Sequence, residues 1–117
     1  MKSTLIPALA FAVLLGAGCA SKPQHTDWAA AVQKAETADD HEKLAQHYDE
    51  LAQTMQADAD EEKRMLAEYQ RRPHRYGKRI KDLRARSGAL VRDYEAAAKE
   101  NRDMAEFHRQ MAAELRQ

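Results

Sequence analysis

The chain has 117 residues, with 19 lysines and arginines balanced by 19 aspartates and glutamates. A balance this even argues against a general nucleic-acid binder, which needs a net basic surface. There is one cysteine, so no disulfide can form within the chain, and the length suits one domain.

Residues 1–18 have a secretory layout: Lys2 at the start, an apolar middle from Leu5 to Leu15, then small residues. The apolar run is shorter than the roughly 20 residues a helix needs to span a bilayer. Pro7 also disfavours a spanning helix. The run closes on Leu14-Leu15-Gly16-Ala17-Gly18-Cys19-Ala20-Ser21. This resembles the signal and lipobox of bacterial lipoproteins. Gly16 stands where that family usually has a branched apolar residue, and Leu15 lies one position further out. The resemblance implies cleavage before Cys19, acyl chains on Cys19 and a membrane-anchored mature chain. Ala20 and Ser21 lack the aspartate that retains many such proteins at the inner membrane, so it implies the periplasmic face of the outer membrane.

Residues 19–26 read as a lipidated tether, and 27–117 as the folded domain. That domain is rich in Ala, Glu, Lys, Arg and Gln and has no alternating β-branched run, so it is expected to be all-α. Thr26 is expected to cap a short helix from Asp27 to Glu36 that carries Trp28, Val32 and Ala35 on one face. Asp39 and Glu42 then suggest a capping box for a restart.

From His41 the chain becomes periodic. His41, Leu44, Tyr48, Leu51, Met55, Asp58, Glu62, Met65 and Tyr69 alternate steps of three and four. This row is expected to point inward, with Ala45, Ala52, Ala59 and Leu66 beside it. The helix should stop near Arg72, because a proline disfavours helical geometry at the residue before it. Pro73, His74 and Gly77 make the turn. A second helix repeats the pattern: Ile80, Leu83, Ser87, Leu90, Tyr94, Ala97, Asn101, Met104, His108, Met111 and Leu115, flanked by Val91, Ala98, Ala105 and Ala112. Gly88 is the expected bend.

A short turn makes long helices antiparallel neighbours. The expected fold is therefore a coiled-coil-like two-helix hairpin with a short N-terminal helix. Facing positions should sum to about 149, which sets Met55 near Tyr94, Leu44 near Ala105 and Tyr69 near Ile80. Local acid-first pairs are expected at Asp39–Lys43, Asp60–Arg64, Glu68–Arg72, Asp82–Arg86 and Glu95–Lys99. One hairpin buries little, so a homodimer forming a four-helix bundle is expected.

The facing rule brings His41 opposite His108. Two imidazoles with Glu42 or a backbone carbonyl suit Zn(II) or Cu(II); equally, they suit polar residues at a frayed end. His25 and His47 are read as surface residues and His74 as part of the turn. Asp58, Glu62, Ser87 and Asn101 interrupt the apolar rows, with Arg84, Arg86 and Arg92 near enough to pair with Glu62 or Asp58. No Glu-x-x-His, His-Glu-x-x-His, glycine-rich phosphate loop or nucleophile constellation occurs, so an enzyme is not expected.

Arg71, Arg72, Arg75, Lys78, Arg79, Lys81, Arg84 and Arg86 crowd the turn, while Glu36 to Glu62 is acidic. Arg71, Arg72, Arg75, Tyr76, Lys78 and Arg79 are thus candidates for contact with an anionic envelope polymer or protein. A solvated turn explains the same charge. The chain also resembles small helical envelope lipoproteins with phrases such as His108-Arg109-Gln110-Met111-Ala112, a likeness that implies no activity. It is similar to the short coiled-coil murein lipoproteins too, but ends Leu115-Arg116-Gln117 without their C-terminal lysine. The first functional reading is a structural or interaction lipoprotein. The second is a periplasmic metal-binding or stress-sensing protein using His41 and His108.

Overall fold

A computed structural model describes residues 25–117. Cys19, the segment 1–18 and the tether as far as residue 24 lie outside the described residues. The rest is an all-α hairpin. A short helix α1 (Trp28–Lys34) precedes α2 (Ala38–Arg71), a 3-10 segment (Pro73–Arg79) and α3 (Ile80–Leu115). The long helices pack antiparallel along their length.

The helix ends follow local chemistry, with two shifts from expectation. Asp27 rather than Thr26 caps α1, accepting from the Ala30 N–H at 3.1 Å. The capping box of α2 is Thr37 with Asp40, not Asp39 with Glu42. The Thr37 hydroxyl accepts from the Asp40 N–H at 3.1 Å, and the Asp40 carboxylate accepts from the Thr37 N–H at 3.0 Å. Thr37 wins because its extended backbone leaves the hydroxyl over the exposed N–H groups of the first turn. The hydroxyl and N–H groups around Asp40 hold its carboxyl below the usual carboxylate range, the Thr37 hydroxyl contributing most.

The turn forms at Pro73–Arg79, with proline in the first turn of the 3-10 segment, where its missing N–H is no loss. Gly77 has φ 54° and ψ −137°, a backbone position that side-chain-bearing residues avoid. From Arg84 a guanidinium reaches back to the Tyr69 and Gln70 carbonyls, both at 3.4 Å, at the C-terminal end of α2. Lysine or arginine at that end satisfies carbonyls left without helical partners. Helix α3 passes through Gly88 as one element. Packing against α2 on both sides of that position outweighs the roughly 1 kcal/mol propensity cost of glycine.

The core reverses the expected ranking of the two rows. Ala45, Ala52, Ala59, Ala98, Ala105 and Ala112 form the buried seam, while Leu51, Met65, Leu90, Met104 and Met111 are exposed. Alanines repeating every seventh residue let the two backbones approach closely, as larger side chains would not. Leu44 is the one large apolar side chain fully buried among the described residues.

The two edges of this seam differ. Positions four residues beyond the seven-residue column of these alanines, extended to Ala38 and Val91, carry charge across the interface: Asp49 with Arg109, Lys63 with Glu95, and Glu42 with Arg116 at 3.1 Å. Positions one residue before this column carry Leu44, Leu51, Asp58 and Met65 on α2, and Leu90, Ala97, Met104 and Met111 on α3; Leu44, beside α1, is buried, and the apolar face opens beyond it. In an antiparallel pair the same sequence offset lands on the same side of the interface. The hairpin therefore has one edge closed by ion pairs and one open apolar face.

Candidate functional site

Three features could support function: the histidine pair at the open end, a cleft under α1, and the basic turn. Helical register builds the first. His41 sits on the first turn of α2 and His108 near the end of α3, both buried. Their Nδ1 atoms approach to 3.0 Å, so one ring donates and the other accepts. Tyr48 stacks on His108 with ring centroids 5.6 Å apart and planes at 10°. Burial, and then the neighbouring His41, push the His108 pKa below the ordinary histidine value.

This end is held, not frayed. Arg116 reaches Glu42 and also Asp39, at 3.7 Å, and Arg109 reaches Asp49. Glu42, expected beside the imidazoles, is thus engaged with Arg116. Among the described residues, no group of three or more His, Cys, Asp and Glu side chains converges. The pair offers a metal two nitrogens from the chain.

Further along the seam, the Ser87 hydroxyl donates to the buried Glu62 carboxylate at 2.5 Å. Both this pair and the histidine pair obey the facing rule. The arginines expected to pair with Glu62 do not: Arg84 instead serves the α2 carbonyls. Nor does Asp58 form an ion pair among the described residues. The side-chain amide of Asn101 turns back to the Ala97 carbonyl at 2.8 Å. Of the five expected local pairs, Glu68–Arg72 forms, at 3.6 Å. Glu95 goes across to Lys63, Lys99 pairs with Asp103, and Arg64 pairs with Glu61.

His47 is no simple surface residue. Its ring stacks on Trp28 at 3.9 Å with planes at 12°, fastening α1 to α2. Beside this stack lies a cleft of about 470 Å³, floored by Leu44 and bordered by Lys34, Lys43, Asp40 and Glu50. No motif announced it; the only sequence signal is one tryptophan before a histidine-bearing helix. His25 is exposed and His74 lies in the turn, both as expected.

The turn collects the basic residues as expected, and its arginines are partly neutralised. Glu68 pairs with Arg71 at 2.6 Å, Arg72 at 3.6 Å and Arg75 at 3.7 Å. These cations, Arg71 above all, hold the Glu68 carboxyl below its usual range. Among the described residues, Lys78, Arg79, Lys81 and Arg86 form no ion pair. Tyr76 is packed edge-on against Tyr69 at 5.0 Å, which ties the turn to the end of α2. The turn therefore offers cations on a fixed frame, with Tyr76 half-buried in support.

Comparison with protein-family models, with curated proteins and with solved structures finds no match to this chain.

Proposed function

We propose that this protein is a membrane-tethered helical hairpin of the bacterial cell envelope, with a structural or protein-interaction role and no catalysis. Acyl chains on Cys19 anchor it to the periplasmic face of the outer membrane, and the basic turn is its contact site. The lipobox-like run ending at Cys19 supports the anchor. Each buried methylene contributes about 0.8 kcal/mol, so two or three chains hold firmly where one does not.

The observation that carries the contact reading is a separation of charge along the rod. Between residues 68 and 86 eight lysines and arginines stand against Glu68 and Asp82, while acids outnumber basic residues over the rest of the chain. Trp28, at the start of α1, stacks on His47, so the chain enters the hairpin part-way along α2. At about 1.5 Å per residue, the stretch from His47 to Arg71 sets the turn roughly 36 Å from that point. Such a rod presents concentrated positive charge to an anionic polymer or protein at a distance from its anchor.

Two measurements test this. Cys19→Ser releases the mature chain from membranes into the soluble fraction; unchanged membrane partitioning contradicts the anchor. Charge reversal at Arg75, Lys78 and Arg79 removes cosedimentation with isolated peptidoglycan and loses the partners crosslinked at the turn in cells. Retention of both contradicts the contact site.

A second reading, metal binding for transport or stress sensing, is favoured by the convergence of the His41 and His108 nitrogens. Near-stoichiometric zinc or copper uptake that disappears in His41→Ala plus His108→Ala supports it. No uptake by the parent chain ends it.

A further inference from the structure

The open face of the hairpin is a large apolar surface on a small protein. Leu51 and Met65 on α2, with Leu90, Met104 and Met111 on α3, are each between 36% and 43% exposed. They lie on one side of the alanine seam, opposite the cross-helix ion pairs. The hairpin has no need of them for its own closure, because alanines and ion pairs do that. Contiguous exposed apolar surface beyond a few hundred Å² marks an interaction face.

We infer that this face docks a second copy of the chain, face to face, forming a parallel-anchored dimer with a four-helix core. Three observations select a second copy. The first is size. Beyond Leu44, which packs beside α1, the stripe runs from Met104 to Leu83, about 30 Å at about 1.5 Å per residue, and two helices are about 20 Å wide. That gives roughly 600 Å² per copy, at the lower end of what each partner contributes to a standard stable interface. The second is pattern: both stripes keep the seven-residue spacing, so each presents knobs where a like copy presents gaps.

The third is charge at the rim. A two-fold axis along the rod sets α2 of one copy against α3 of the other at the same level. The 149 sum, fixed by His41–His108 and Glu62–Ser87, then sets Arg86 of the second copy two residues from the level of Glu61 and Arg79 of the second copy two residues from the level of Glu68, an offset of about 3 Å that an arginine spans. Arg79 and Arg86 are cations that form no ion pair within the described chain. The parallel arrangement also leaves both basic turns at one end, though the inference does not rest on their function.

The test is the polypeptide mass of the mature chain in mild detergent at tens of micromolar, by light scattering that separates protein from detergent and lipid. The parent chain weighs as a dimer. Leu51→Glu with Met104→Glu weighs as a monomer while keeping its helical circular dichroism, since both positions are solvent-facing in the single hairpin. Orientation is read from thiols. A copy carrying Leu51→Cys and a differently tagged copy carrying Ala97→Cys form a mixed disulfide on oxidation. A monomeric parent chain overturns the inference, as does a dimer unmoved by the double variant. Efficient disulfide between two Leu51→Cys copies, without the mixed product, overturns the parallel arrangement.

Discussion

His41 and His108 form the most consequential contact between single residues. Their shared hydrogen bond tolerates one proton between two nitrogens; a second proton leaves two like charges facing each other in a buried site. The folded state holds the His108 pKa below the value of 6.5 that it has when exposed. The folded protein therefore binds this proton less readily than the unfolded chain. The pair's contribution is full above pH 6.5 and is lost as pH falls below it, toward the lowered folded pKa. Tyr48, Asp39, Glu42 and Arg116 border the same end, with both carboxylates paired to Arg116. Urea unfolding at pH 7.5 and at pH 5.5 checks the sign: stability is lower at 5.5, and His41→Phe with His108→Phe flattens the difference. Equal stability of the parent at both values contradicts it.

The alanines carry the same logic of fit. Ala98 and Ala105 are 0% exposed in the seam. Ala98→Leu forces the backbones apart and destabilises the hairpin by about 1–3 kcal/mol, despite adding apolar surface. Chemical denaturation measures it; a stabilised variant contradicts the close-packed seam.

At the scale of elements, the turn is the feature on which both helices depend. Gly77→Ala meets no atom within 4 Å, so crowding is not the issue. Backbone geometry is: φ 54° with ψ −137° strains any residue with a Cβ. The substitution costs about 1–3 kcal/mol in thermal or chemical unfolding. No change would show that another conformation serves the turn equally well.

The long helices, their antiparallel pairing and the turn were legible from period and punctuation. So was the facing of His41 with His108, because one turn centre sets every level along the rod. The composition of the seam was not. Ranking by hydrophobicity puts Leu51 and Met65 inside, yet close approach of two backbones selects the smallest side chains. The unbroken series Ala45, Ala52, Ala59 and Ala98, Ala105, Ala112 was the available signal. The ionic edge was hidden for a related reason. Local spacing suggests Glu95–Lys99, but the close approach brings Lys63 nearer to Glu95. Lys63 is correspondingly held above the ordinary lysine pKa, chiefly by that Glu95 contact. The Trp28–His47 stack had no periodic signature, because α1 is too short to display one.

At the scale of the molecule, the hairpin is an asymmetric rod: ionic on one edge, apolar on one face and basic at one end. These three asymmetries are the source of the proposals for a second copy and for an anionic contact. No helix among the described residues is long and apolar enough to cross a membrane. Every one of these readings requires the chain to fold back on itself between Pro73 and Arg79. Spin labels at the exposed positions Gln46 and Glu106, in chains diluted with unlabelled protein, measure this directly by pulsed dipolar spectroscopy. Neighbouring helices lie about 8–10 Å apart, so the hairpin predicts a label separation below about 30 Å. A separation near 90 Å, the length of one uninterrupted helix between those residues at about 1.5 Å each, would contradict the account.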